Sequence, residues 1–483
     1  MNLKAISHNI GKALLVSALF MFLSLGVSIF YDMDSGFTPL LISFIITLIV
    51  GAFPFIFVKK PGTMTLRDGF LTIVLSWLLS FIFGMLPYVL WGGEFTLINA
   101  WFESVSGYTT TGATILNDIE ALPNSLLFWR SSTHYIGGLG VVVFLLLVMP
   151  GASPFRVKLT NMEMSSLSKE GYRYKSSKVV MVIVSVYLGF TLTSCLALWA
   201  AGMPFFDAVN HAFSIAATGG FSTKNLSIGA FDSVLINVIV IFFMAVCAMH
   251  FGLIYAMFAT RSFKPFNNTV VKYYLTCIIV CSFIVMLNLM TEAGYDNWGK
   301  AIMDSTFTVV SYISSAGFAI CDNSRWPLLA GLILVFVSIQ GGCSGSTAGG
   351  IKIDRLLIAF KAMFHEIRQR LHPNAVGNVR MSGQHLSDNS VKSGVMYIVI
   401  YIFLVFLSIF LVTLCGENAT DAVSGVIASL GSVGPGLGDL GNHGNYATQT
   451  SVAKFIYSFC MFLGRVEIYP VLIVISLMLR RDR

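Results

Sequence analysis

Thr109-Thr110-Thr111-Gly112-Ala113-Thr114 (TTTGAT), ATGGFST at 217–223, SSAGFA at 314–319 and GSVGPGLG at 431–438 are four stretches of one kind. In each, a hydroxyl residue, a small residue and a glycine follow one another: Thr110-Thr111-Gly112, Thr218-Gly219-Gly220, Ser315-Ala316-Gly317 and Ser432-Val433-Gly434. With the four glycines taken as equivalent, successive units lie 108, 97 and 117 residues apart. A recurrence at such a period marks a repeated supersecondary unit, and it governs every local reading. Positions outside the triplets agree with the alignment. Thirteen residues before each glycine stand Asn99, Asp207, Asp304 and Asp421, and six before stand Ser106, Ser214, Ser311 and Ala428. The first set can accept an orphan backbone N–H, so they are expected to N-cap a short helix of about ten residues ahead of each triplet.

Outside these stretches the chain is apolar. Of its 483 residues, 11% are charged and 56% hydrophobic, with a mean hydropathy of +0.79. A water-soluble chain carries about 25% charged residues, so a soluble fold is excluded and the bilayer is the solvent. Ten apolar stretches of spanning length are expected, at roughly 11–31, 39–58, 68–91, 126–149, 179–201, 231–259, 270–291, 326–362, 391–415 and 451–479. The first is read as a retained helix rather than a signal peptide, because 13–30 is long enough to span and lacks a convincing cleavage site. With both termini in the cytoplasm, 24 of the 30 basic residues fall on the inner side, which selects that orientation. Topology therefore accounts for the net charge of +7 better than nucleic acid does, since no basic, aromatic-interleaved module is present. The eight cysteines form no CxxC pair and mostly lie in apolar runs, as packing residues do.

Each triplet follows a segment too short to span. Irregular backbone at membrane depth is tolerated only where protein buries it or a water-filled cavity receives it. Four such loops around one pseudo-fourfold axis would make a pore. Small side chains, and glycine with its tolerance of unusual φ/ψ, let consecutive carbonyls point inward and replace an ion's hydration shell. No carboxylate lies in the triplets, and the short helices would aim their negative C-terminal ends at the cavity below. The ligand implied is a monovalent, weakly hydrated cation.

Together with QGGCSGSTAGGIK at 340–352 and GRVEIYP at 464–470, the four loops resemble the TrkH/TrkG family of bacterial potassium-uptake proteins, over nearly the whole chain. That family belongs to a superfamily with the KtrB and HKT transporters, in which one chain builds a channel-like pore from four repeats. The resemblance implies K⁺ as the transported ion, held by the carbonyls of the triplets, with Gly112, Gly220, Gly317 and Gly434 as filter glycines. It also implies a homodimer in the bacterial inner membrane and a cytosolic nucleotide-binding regulator like TrkA, with no nucleotide bound by this chain itself.

The eighth span is interrupted by Gly341-Gly342-Cys343-Ser344-Gly345-Ser346-Thr347-Ala348-Gly349-Gly350, whose five glycines each disfavour helix by about 1 kcal/mol. The resemblance makes this a mobile intramembrane gate below the filter; the alternative is a small-residue packing seam between helices. A P-loop is rejected, because Ile351 stands where its lysine is required, and GPGLGDLG at 434–441 is no dinucleotide site between a re-entrant helix and an outer loop. Arg465, inside the tenth span, is expected to face the pore and bond the carbonyls of the 341–350 loop. The alternative is an ion pair with Glu467 or another carboxylate. His134 and His250 read as packing histidines.

The sequence thus describes an all-α integral membrane protein. Two N-terminal helices occupy 1–66, and four helix/pore-helix/filter/helix repeats occupy 67–165, 166–264, 265–385 and 386–483. The function expected is K⁺ conduction, with no enzymatic constellation in view. The competing class is an alternating-access symporter coupled to H⁺ or Na⁺, which inverted repeats would mark, whereas these four share one orientation.

Overall fold

The computed structural model describes residues 2–58, 64–147, 176–372, 379–381 and 384–479. The basic residues Lys59, Lys60, Arg156, Lys158, Lys169, Arg173, Lys175, Arg480, Arg481 and Arg483, which enter the orientation argument, lie outside them. Apart from one two-residue antiparallel ladder, Arg380–Met381 with Gln384–His385, the regular elements described are all helical. Two helices come first, α1 (Leu3–Phe30) and α2 (Phe37–Phe57). One order of elements then recurs: a long helix, a short helix, an irregular loop and a further helix. It runs through α3 (Leu66–Gly84) with α4 (Leu86–Trp91), α5 (Leu97–Tyr108) and α6 (Asn124–Leu147). It continues through α7 (Ser176–Ala200), α8 (Phe205–Ala217) and α9 (Val234–Cys247) with α10 (Phe251–Thr260). Next come α11 (Thr269–Glu292), α12 (Trp298–Ile313) and α13 (Leu328–Gln340) with α14 (Ile353–Leu371). The chain ends through α15 (Asp388–Leu414), α16 (Ala419–Leu430) and α17 (Ser451–Val466) with α18 (Ile468–Leu479).

Local chemistry sets these boundaries. Thr65 and Asp68 close a capping box at the start of α3, each accepting the other's backbone N–H at 3.0–3.3 Å. The second carboxylate oxygen of Asp68 accepts the N–H of Asn2 at 3.0 Å, which ties the start of α1 to that of α3. Phe30, Phe57, Ile279 and Phe406 leave large apolar side chains exposed, as helices do when lipid is their solvent. The interior falls into two apolar clusters. One joins α1, α3, α5 and the start of α6 to α15–α18; the other is built from α7–α14.

Six described helices are long and apolar enough to cross a membrane, or eight spans if two bent pairs each count as one. The bends fall within the apolar stretches 231–259 and 451–479, and the spanning length read there does not announce them. The first pair turns by 99° between α9 and α10, the second by 110° between α17 and α18. In the first, the Nδ1 of His250 accepts the Gly252 N–H and starts a new helix. The loop after α13 takes up freed backbone groups: Cys343 N–H donates to Ala248 O at 2.9 Å and Phe251 N–H to Gly345 O at 3.0 Å. In the second, Glu467 adopts φ +63°. With ψ 150° this is a backbone region that glycine favours, unfavourable by about 1–3 kcal/mol for another residue. Here the Glu467 carboxylate lies 2.7 Å from Arg355 Nη2 and 3.7 Å from Lys352 Nζ, and the turn delivers it to them.

Candidate functional site

The four short helices end in one way. Thr110, Thr218, Ser315 and Ser432 take left-handed conformations with φ of 53°, 53°, 56° and 53°. The next residue's N–H returns to the carbonyl five positions back: Thr111 to Ser106, Gly219 to Ser214, Ala316 to Ser311 and Val433 to Ala428, all at 2.8–3.0 Å. This is the Schellman closure, which normally takes glycine at the left-handed position. Gly112, Gly220, Gly317 and Gly434 follow with φ of 82°, 85°, 68° and 91°. Their missing side chains matter twice. A Cβ on Gly112 would strike the carbonyl oxygen of Gly219, one on Gly220 that of Ala316, one on Gly317 that of Val433, and one on Gly434 that of Thr111. The contacts run from each loop to the next and back to the first, so the twelve triplet residues form one closed ring of backbone. Above it lies a cavity of about 180 Å³ with the four glycines on its floor and Asn117, Lys224, Asn442 and His443 on its walls.

The predicted caps need correction. Asn99, Asp207 and Asp421 occupy the third position of α5, α8 and α16, and Asp304 lies deeper, in α12. Thr96, Asn297 and Asn418 provide side-chain caps, and Pro204 opens α8 without one. The first turn and the cap both favour short polar residues, so spacing alone does not separate them. The four residues instead reach across the fold: Thr223 Oγ1 donates to Asp207 at 2.6 Å, Tyr295 OH to Asp304 at 3.0 Å, Gln449 Nε2 to Asp421 at 3.3 Å and Lys454 Nζ to Asn99 at 2.9 Å.

On the other side of the ring sits the 341–350 loop. Lys352 N–H closes it on Gln340 O at 2.9 Å and Ile353 N–H on Gly342 O at 3.0 Å. Thr347 Oγ1 donates to Ala216 O at 3.2 Å, at the end of α8, and Gly349 N–H to the Ser315 hydroxyl at 3.2 Å. A Cβ on Gly349 would meet Gly431 O, beside the fourth triplet. Ser344 donates to Asp354, Ser346 to Cys343 O, and Cys343 and Ala348 are buried. Arg465 reaches the same loop: Nη1 donates to Thr347 O at 2.6 Å, and Nη2 to Gly137 O and Gly138 O at 2.8 and 3.0 Å. Glu467 is not its partner, being engaged by Arg355 and Lys352.

Two buried charge clusters escape the sequence reading. Arg130 pairs with Glu103 at 2.6 Å, both in the interior. The pair is separated by 27 residues and no local spacing announces it. The Lys352–Arg355–Glu467 cluster is likewise assembled from distant segments, although three ionisable residues at membrane depth are themselves a signal. His134 stacks on Phe221 with centroids 4.0 Å apart, and His250 starts α10.

Residues 38–483 match the family model TrkH, described as cation transport protein. The chain is 33% identical over 387 residues to the Trk system potassium uptake protein TrkH of Salmonella typhimurium, covering 79% of each. It is 32% identical over 482 residues to TrkG of Escherichia coli, covering 98% of each. A crystal structure of the potassium transporter TrkH from Vibrio parahaemolyticus superposes with a TM-score of 0.89 at 28% identity over the full length of both chains.

Proposed function

The chain belongs to the TrkH family of cation transport proteins, transporters rather than enzymes, and on that premise we propose that it takes up K⁺ across the bacterial cytoplasmic membrane through a channel-like pore. In this reading the chain crosses the membrane ten times, with two N-terminal helices and four repeats around a pseudo-fourfold axis, and both termini are cytoplasmic. The carbonyls of Thr110, Thr111, Gly112, Thr218, Gly219, Gly220, Ser315, Ala316, Gly317, Ser432, Val433 and Gly434 hold the ion. The observation that carries the reading is the closed cycle of glycine-to-carbonyl contacts joining four loops far apart in sequence. A monovalent cation that sheds water readily is matched by such a neutral ring of carbonyls.

The 341–350 loop is the gate, and Arg465 holds it beneath the ring. Support comes from the loop's bonds to Ala216 O and Ser315 and from the guanidinium on Thr347 O. The functional unit is a homodimer, and a cytosolic nucleotide-binding regulator resembling TrkA moves the loop.

The test is ion flux and unitary current from the purified chain in liposomes. Unitary K⁺ currents are expected; a saturable flux without them, driven by an H⁺ or Na⁺ gradient, would assign an alternating-access symporter instead. Gly112→Ser or Gly434→Ser, each placing a Cβ against a neighbouring carbonyl, should lower the K⁺ to Na⁺ ratio by at least about tenfold. Unchanged ratios in both folded variants remove the loops from the filter.

A further inference from the structure

We infer that Glu103 and Arg130 are positioning residues that set the ion preference of the ring by clamping its first two loops together. The inference rests on the reading of the ring as a filter. Glu103 is the hub. One carboxylate oxygen accepts Arg130 Nε at 2.6 Å and Thr114 Oγ1 at 3.0 Å; the other accepts Ile115 N–H at 3.1 Å. Thr114 and Ile115 stand two and three residues beyond Gly112. The same guanidinium donates through Nη1 to Ser222 O at 3.0 Å and lies 3.6 Å above the centre of the Phe221 ring. Phe221 and Ser222 stand one and two residues beyond Gly220. His134 stacks on Phe221, and its Nδ1 accepts the Phe221 N–H at 3.4 Å. One ion pair, 0% and 2% exposed, therefore fixes the chain leaving two adjacent triplets.

The other two loops are held by neutral groups. Ser311 Oγ donates to Phe318 O at 2.7 Å, Tyr312 OH to Gly436 O at 3.0 Å and Tyr446 OH to Gly434 O at 3.1 Å. Nine residues before the four glycines stand Glu103, His211, Thr308 and Gly425, so a carboxylate occupies this position in the first unit alone. Charge-assisted bonds are shorter and about twice as strong as neutral ones, so the first two loops are the stiffer half of the ring. In the snug-fit account of a carbonyl filter, discrimination between cations of different size depends on how well the carbonyl spacing resists collapse. Arg130 also lines the cavity above the ring, so Glu103 has a second effect there. It cancels a positive charge that would otherwise repel an arriving cation.

These two effects separate in flux measurements on the full chain in liposomes, with K⁺ and Na⁺ as probes. Glu103→Gln leaves Arg130 uncompensated. It should raise the half-saturating K⁺ concentration and lower the K⁺ to Na⁺ flux ratio, each by about tenfold. The double variant Glu103→Gln with Arg130→Met removes both charges, so no lone ion is buried. It should return half-saturation to within about twofold of the parent while the ratio stays low. A purely structural pair would move neither quantity per folded molecule. A ratio within about twofold of the parent in the folded double variant overturns the inference, as does failure of both variants to yield monodisperse protein. Gly112→Ser, run in parallel, distinguishes the failures. If it lowers the ratio and the charge variants do not, only the clamp falls; if none of the three lowers it, the filter reading falls as well.

Discussion

Arg130 and Arg465 are two guanidiniums inside the membrane-spanning body, treated in opposite ways. Arg130, in α6 beside the first two loops, is matched by the Glu103 carboxylate and aims one further N–H at a carbonyl. Arg465, near the end of α17 on the other side of the ring, is half-buried, and its described hydrogen bonds all end on carbonyl oxygens. A neutralised charge stiffens its surroundings and leaves little field along the axis. A charge held only by carbonyls keeps its field, and in a cation pathway that field is a barrier. In the proposed pathway the outer cluster would therefore serve geometry, whereas the inner one would oppose permeation.

The largest effect that can break this contrast is removal of each charge in turn. At an effective dielectric of about 20, two unit charges about 6 Å apart repel by roughly 3 kcal/mol, a factor of about 100 in occupancy. Arg465→Ala should therefore raise K⁺ flux per folded molecule by up to about 100-fold. Arg130→Ala should bring no such rise, because leaving Glu103 unpaired costs about 3–5 kcal/mol and appears as lost monodisperse protein with normalised flux no higher. Flux normalised to purified, monodisperse protein reads both. The contrast collapses if the two variants behave alike.

The contrast also shows which parts of the molecule the sequence makes legible. The loops are legible because hydroxyl, small residue and glycine recur at long, similar spacings, and the structure places all four triplets side by side. The interruption at 341–350 is legible because its glycines cannot sustain helix between two apolar runs. Arg465 stands out because a lone cation in an apolar span demands a partner, and its partners are backbone carbonyls that sequence does not mark. The bend at Glu467 is hidden, since a single positive-φ residue in an apolar run carries no turn signature, and the partners of its carboxylate, Lys352 and Arg355, stand more than a hundred residues earlier. The Glu103–Arg130 pair is hidden likewise, because its two members stand 27 residues apart with no local spacing that joins them. The short-helix caps are misplaced by three residues or more, because first-turn and cap positions share residue types.

A middle-sized effect separates the charge of Arg465 from its grip on the loop. Arg465→Lys keeps the positive charge but replaces a planar fork of donors by a compact ammonium that cannot span Thr347 O, Gly137 O and Gly138 O together. If charge and grip both contribute, flux should rise by about tenfold, below the alanine variant and above the parent. A lysine variant as fast as alanine would mean that the tether alone matters. One no faster than the parent would mean that the field alone does.

The smallest effect isolates the loop from the charge. Thr347→Val preserves shape and leaves the Thr347 carbonyl on Arg465, but it removes the hydroxyl that donates to Ala216 O at 3.2 Å and lies 3.4 Å from Cys247 O. A neutral hydrogen bond of this kind contributes about 1 kcal/mol net, so the closed position should weaken and K⁺ flux rise by about fivefold. The acceptor, Ala216 O, belongs to the last turn of α8, so it is exposed to water once the loop leaves and carries no lasting penalty. The ring itself is untouched, so the K⁺ to Na⁺ ratio should stay at the parent value while total flux increases. That pairing is the discriminating readout: the outer cluster is expected to govern the ratio, and the inner loop the amount. A Thr347→Val protein whose ratio falls together with its rise in flux would show that loop and ring are one mechanical unit, and the division between the two arginines would not stand.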